Sequence, residues 1–400
     1  MARIEIRHVR GRAEMERVYD LLGNVFTVGR AFFQKRLDYD AAYDPETTWV
    51  ATVEGELAAS VQLFPYDMRV GEARLKIGGI GSVSSDPRFR GMGLVHGILL
   101  EMTEWMKKRE YDLSLLFTGI HPFYEKVGWE TVEEPRYELD AASVAGSYDD
   151  SVYRISSFSR SDLEEIMAVC DAYNAGNTNS RIRSAEYWDG LLKWSDNLFG
   201  SFLTARKKGR IVAYAIAGNE KDGAVELQEC AFMDGEGAAM KPLFAALAAG
   251  ETVKRLSAVI PEDGILSEAL RSLGPVDVQI GNYSMWKIIG FAPMLRKLEP
   301  VFTRRLVEAD EANRAVMPER VLLRCGGEKA VLAIGSHGAA VLPASETLEY
   351  DEEIKCTAAE FSAMLTQGSQ VLTRESLKGH PVVRALFPGQ RYAMWKTEAF

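Results

Sequence analysis

Cysteine is scarce in this sequence: four in 400 residues, at Cys170, Cys230, Cys325 and Cys356. No two form a C-x-x-C pair, which leaves no readable zinc knuckle or thioredoxin motif. Four scattered thiols read as reduced and buried, so a cytoplasmic location is expected. Histidine is scarcer for its task, five residues with no H-x-x-x-H pair, and no metal site is expected. No apolar run approaches the roughly 18 residues of a membrane span, so no membrane partner is expected. The first residues, Met1 to His8, are charged where a secretion signal would be apolar. Basic residues are outnumbered, 47 against 57 acidic, for a net charge of −10. Non-specific nucleic-acid binding needs basic patches, so nucleic acid is not an expected partner. An acidic surface suits cationic ligands such as amines, and is equally the ordinary route to solubility.

What is present is ordinary globular composition, 47% hydrophobic and 26% charged. The length predicts two to three domains. Apolar residues at Met15, Val18, Leu21, Leu22 and Val25 space as a helix over 13–26. Residues 49–53 and 57–64 read as strands joined by a turn at Glu54-Gly55-Glu56, and 74–84 as a third strand. A helix is expected over 94–108 and a buried strand over 113–117. A second stretch repeats this order. A capping-box-like Ser161-Asp-Leu-Glu164 opens a helix, residues 184–194 form another, 202–217 form a hairpin, and 225–232 and 240–249 form a strand and a helix. The pattern changes near 288–300, where Pro293 and Pro300 are expected to bracket a short connection. Beyond it, strands at 321–324 and 330–334 and a capping box at Thr357-x-x-Glu360 predict a small α+β unit.

The strongest motif is Val83-Ser84-Ser85-Asp86-Pro87-Arg88-Phe89-Arg90-Gly91-Met92-Gly93-Leu94. A strand runs into an R-x-x-G-x-G turn that opens a helix. The glycines allow a tight turn, the free N–H groups at the helix start converge, and the helix dipole adds positive potential. Arg88 and Arg90 add charge. The arrangement suits a pyrophosphate. It is neither the G-x-x-x-x-G-K-[ST] nor the G-x-G-x-x-G pattern.

The loop resembles motif A of the GNAT acyltransferases, and Tyr124-Glu-Lys-Val-Gly-Trp129 resembles that family's Y-x-x-x-G-[FY] element. The whole chain resembles the enhanced intracellular survival (Eis) acetyltransferases. That resemblance implies an α+β (mixed α/β) fold of three parts. A catalytic GNAT domain spans 1–148, a degenerate GNAT domain 149–288, and a sterol-carrier-like domain 289–400. It also implies acetyl-CoA as co-substrate, a small-molecule amine such as an aminoglycoside as acceptor, and a homo-oligomer, a hexamer. Protein lysine or polyamine acceptors, and a non-catalytic acyl-CoA- or lipid-binding regulator, are the alternatives. The second unit's counterpart loop, Met233-Asp-Gly-Glu-Gly237, lacks arginine, so one acetyl-CoA per chain is expected.

The resemblance also implies roles. Backbone at Val83, Ser84 and Ser85 would pair with the pantetheine arm, with the Val83 N–H as oxyanion donor. Arg88, Phe89, Arg90, Gly91, Met92 and Gly93 would hold the pyrophosphate. Tyr124 would be the general acid, since a phenol stays protonated at pH 7. The α-carboxylate of Phe400 would bind the ammonium and accept its proton. Phe33, by cation–π contact, and Glu398, by charge, are candidates for the amine pocket. His121 is a candidate relay.

Overall fold

The computed structural model describes all residues except 1, 145–151, 179–180, 196–198, 262–263, 310–314, 336–337, 343–348 and 393. The first unit runs β1 (Ile4–His8), α1 (Gly11–Val25), α2 (Arg30–Asp38), β2 (Thr48–Val53), β3 (Glu56–Val70), β4 (Ala73–Ser85), α3 (Leu94–Lys108), β5 (Leu113–Phe117), α4 (His121–Glu125) and β6 (Glu130–Asp140). The second runs β7 (Arg154–Ser157), α5 (Leu163–Asn174), α6 (Ala185–Trp194), β8 (Phe199–Lys207), β9 (Arg210–Gly218), β10 (Ala224–Phe232), α7 (Met240–Ala248), β11 (Arg255–Ala258), α8 (Ile265–Arg271) and β12 (Val276–Ile288). The third comprises α9 (Phe291–Glu308), β13 (Arg320–Cys325), β14 (Glu328–Gly335), β15 (Gly338–Leu342), β16 (Glu352–Cys356), α10 (Ala358–Thr366), α11 (Glu375–Lys378) and α12 (Pro381–Leu386).

The chain is a mixed α/β protein with tandem units of the same plan. Their hairpin turns match in detail. Glu54 and Gly55 have φ of 49° and 84°, and Lys208 and Gly209 have 50° and 83°. Two successive positive φ values define the turn whose twist suits a two-residue hairpin.

The two units do not close separate sheets. Their strands form one 12-stranded sheet in the order β1-β2-β3-β4-β5-β12-β6-β11-β10-β9-β8-β7. β12, from the second unit, lies between β5 and β6 of the first, and β6 lies between β12 and β11. Each unit therefore lends its last strand to the other. This exchange satisfies sheet edges that separate units would leave open.

Two local expectations change. Residues 288–300 are not a short connection, because Pro293 and Pro300 both lie within the 18-residue helix α9. Pro293 sits in the first turn, where its missing N–H costs nothing. Pro300 is interior, and the helix persists because it buries Met294, Leu295, Leu298, Val301, Phe302 and Leu306 against the third unit and the first. The capping box of the second unit uses Ser159 and Asp162, two residues upstream of the expected pair. The box at Thr357 and Glu360 forms as expected and starts α10.

The third unit has a four-stranded sheet, β15-β14-β13-β16. It shares one core with β3, β4 and β5, in which Met68, Leu75 and Ile77 meet Leu298, Phe302 and Leu386. That packing carries the last residues of the chain across the first two units. Among the described residues, no helix is long and apolar enough to cross a membrane.

Candidate active site

β4 and β5 run parallel and pair only from Ile77–Leu113 to Ile80–Leu116. Beyond Ile80 the strands part. Just there the β3–β4 register shifts, so that Ser82 and Val83 together face Val61. Ser82 takes φ of 48°, a conformation a side chain rarely adopts. The bulge takes Val83 out of the β3 register, and β5 does not pair with it. Ser84 faces inward, its hydroxyl 2.8 Å from that of Ser60.

The loop after Ser85 forms as the motif predicts. Gly91 and Gly93 have φ of 82° and 73°, and Gly93 is the N-cap of α3. No protein atom lies within 4 Å of a side chain built at either glycine. The conformation, rather than crowding by protein, requires glycine there. Arg88 is held by Asp86 at 2.8 Å and Glu56 at 3.2 Å, while exposed Arg90 has no ion-pair partner among the described residues. Phe89 packs against the apolar cluster under α3, and Met92 is exposed.

Tyr124 sits on α4 in the same cluster, 6% exposed, and its ring meets Phe123 edge-on. Burial pushes its hydroxyl up to about 12, so it is protonated at neutral pH. The turn that follows is tied down from the exchanged strand. Lys287 of β12 donates to the Val127 carbonyl at 2.7 Å and to Thr103 at 3.0 Å, over the Trp129 ring. His121 is half-buried, and its Nε2 lies 2.7 Å from the Asn282 carbonyl.

Phe400 lies on β4 beside the parting strands. Its ring stacks on Phe64 at 5.7 Å and meets Phe117 at 5.5 Å. The floor beneath it is glycine. A Cβ built at Gly79 would stand within 2.5 Å of the Phe400 ring, and one at Gly81 would stand 2.5 Å from its carboxyl carbon. Gly79 and Gly81 share one face by the alternation of a strand, while Gly78 faces Met106 on the other.

Residues 5–132 match the family described as Acetyltransferase (GNAT) domain. The N-terminal unit has the GNAT acetyltransferase fold. The complete fold is shared with solved structures of low sequence identity. One is a conserved protein of unknown function from Enterococcus faecalis V583, described as a probable N-acyltransferase. It is 19% identical, with a TM-score of 0.73 over 99% of this chain and 98% of that one. A GCN5-related N-acetyltransferase from Anabaena variabilis is 14% identical, with a TM-score of 0.70 over 100% of both chains. Eis1 from Mycobacterium abscessus is 15% identical, with a TM-score of 0.65 over 100% of both. No curated protein matches the chain. Acetyl-CoA-dependent acyl transfer is the activity that the domain match supports.

A cavity of about 830 Å³ opens beside the GNAT domain, where β12, β6 and β10 meet the chain's last residues. Phe117 and Ala399 line it, which puts it next to Phe400. Three carboxylates, Glu134, Glu138 and Glu226, also line it. Arg136 pairs with Glu138 and Glu226, and Lys396 pairs with Glu226. Glu134 has no cationic partner among the described residues. One of its oxygens accepts from Ser284 at 2.7 Å and from Tyr392 at 3.0 Å. Burial pushes its carboxyl above the usual range.

The other two predicted pocket residues lie elsewhere. Phe33 is 5% exposed, in an apolar cluster with Phe26, Phe64 and Phe400. Glu398 is buried, bound by Arg183 at 2.7 Å. Neither lines the cavity. Sequence reasoning did not find Glu134, because Glu133-Glu134-Pro135 carries no spacing signal. The glycines Gly78, Gly79 and Gly81 were a usable signal, since glycine within a strand marks a close approach.

Proposed function

We propose that the chain is an N-acetyltransferase that moves the acetyl group of acetyl-CoA to a primary amine in a ternary complex. The carrying observation is the convergence of three features at one end of β4. These are the parted β4 and β5 with a bulge at Ser82 and Val83, the Phe400 carboxyl group over Gly81, and the carboxylate-lined cavity beyond it. In this reading, backbone at Val83 to Ser85 holds the pantetheine, and the loop from Arg88 to Gly93 holds the pyrophosphate. The Val83 N–H stabilises the oxyanion and Tyr124 protonates the leaving thiolate. The carboxylate of Phe400 binds the acceptor ammonium and takes the proton it loses. Glu134, lacking a cation of its own, supplies a second anionic contact.

The Eis-like motif order extends the reading to multi-amine acceptors such as aminoglycosides. It also extends it to a sterol-carrier-like third unit whose task is to deliver the chain's last residues, and to a cytoplasmic hexamer. The test is thiol release from acetyl-CoA by protein with an unmodified C-terminus, across aminoglycosides, polyamines, lysine peptides and no amine. Release that depends on aminoglycosides and disappears on deleting Phe400 supports the reading. Release with lysine peptides or polyamines alone reassigns the acceptor. Bound acetyl-CoA with no amine-dependent release would favour a regulator.

A further inference from the structure

The second unit repeats the architecture that makes a cofactor slot in the first. β10 and β11 run parallel and pair only from Ala224–Arg255 to Glu226–Ser257, then part. In the first unit the bulge in β4 begins two residues past the last pair with β5, at Ser82. In the second, the β9–β10 register also shifts two residues past the last pair with β11, leaving Gln228 extra. The slot is therefore retained. The phosphate cradle is not: Met233–Gly237 has no arginine, and the N-cap of α7 is Ala239 in right-handed conformation.

The chain's own last residues lie against the β10 side of the slot, whose Gln228 and Val259 line the cavity described above. Trp395 is 2% exposed and belongs to the core of the second unit. Lys396 pairs with Glu226, the last paired residue of β10. The Thr397 hydroxyl donates to Glu229, the residue after the bulge. Arg183, just before the Ser184 N-cap of α6, closes the arrangement. Its two terminal nitrogens each reach a Glu229 oxygen at 2.8 Å, and its Nε reaches Glu398 at 2.7 Å. Tyr214 donates to the same Glu229 carboxylate at 2.5 Å. All three charged groups are essentially without solvent contact, with side chains 1%, 0% and 2% exposed.

We propose that the second unit's cofactor slot has become the receptor for the chain's own C-terminal segment, with Arg183 and Glu229 as the residues that position Phe400 over β4. This rests on the reading that the Phe400 carboxylate handles the acceptor's proton. The geometry is short. Phe400 lies two positions after Glu398, and two residues span at most about 7 Å, so holding Glu398 confines the carboxylate. A buried ion pair that loses one partner leaves the other charge unsatisfied, which makes the slot intolerant of a displaced segment. The second unit would then serve catalysis without binding acetyl-CoA.

The test uses Glu229→Gln, which keeps shape and removes charge, and Thr397→Val, which alters the segment and leaves the second unit intact. Carboxypeptidase trimming, followed by intact mass, reads whether the segment is held, independently of activity. Native protein should lose Phe400 slowly, and Glu229→Gln at least about tenfold faster, since removing one partner of a buried pair is strongly destabilising. Thr397→Val should fall between them. In parallel, kcat should fall in both variants while the KM for acetyl-CoA stays within about twofold, because the slot of the first unit is untouched. Trimming at the native rate in both folded variants would overturn the proposal. Faster trimming with native kcat would overturn the positioning role. If instead the Phe400 deletion is itself fully active, the parent reading fails, and the trimming result still decides whether the slot holds the segment.

Discussion

Gly79→Ala isolates the placement of Phe400 without touching either the cofactor loop or the acid. The added methyl would stand within 2.5 Å of the Phe400 ring, on the face of β4 away from Met106. Carbon atoms at rest lie about 3.5–4.0 Å apart, so the ring must retreat by roughly 1 to 1.5 Å. Phe64 and Phe117 flank it at 5.7 and 5.5 Å, so retreat lifts the residue away from the parting strands. A misplacement of about 1 Å at a reacting group costs on the order of 100-fold in rate. That is about 2.7 kcal/mol in the barrier. The assay is steady-state thiol release at saturating acetyl-CoA with varied amine, beside calorimetric binding of acetyl-CoA. We expect kcat to fall about 100-fold and acetyl-CoA affinity to stay within about threefold, since the Arg88 to Gly93 loop is unchanged. Native kcat in a folded Gly79→Ala protein would refute the placement of Phe400 in the reaction.

Three further outcomes follow from the same geometry. Tyr124→Phe removes one hydroxyl from a ring already packed, so kcat should fall about 100-fold with both KM values kept; near-native kcat would end the role of Tyr124 as acid. Gly93→Ala meets no neighbour but must hold φ near 73°, which costs about 1–2 kcal/mol, so the KM for acetyl-CoA should rise roughly tenfold with kcat retained. Equal affinity for acetyl-CoA in that variant would argue against the cradle. Burial raises the Glu134 carboxyl above its ordinary value of 4.5, so its negative charge is lost as pH falls through that raised value. The amine KM should rise on that acid limb, and Glu134→Gln should raise it about tenfold at neutral pH and flatten the limb. An unchanged amine KM profile would remove Glu134 from the acceptor site.

Much of the site was readable because its chemistry is local. The turn at Arg88 to Gly93 declares itself through glycines that must take positive φ at the start of a helix, and neighbours along the chain supply every part of it. Hairpin turns and the capping box at Thr357 are legible for the same reason. The α9 helix was not, because Pro293 and Pro300 signal a break and only the burial of an apolar stripe against two units overrides it. The exchange of β6 and β12 has no sequence signature, since a strand carries its alternation but not the identity of its partner. The position of Glu134 beside Ser284 and Tyr392, and of Arg183 between Glu229 and Glu398, joins residues up to 258 positions apart. Local pattern thus determined the turn from Arg88 to Gly93, the repeat and the fold class. The carboxylate-lined cavity and the seat of Phe400 were decided only by tertiary packing, because charge pairing and burial act through space rather than along the chain.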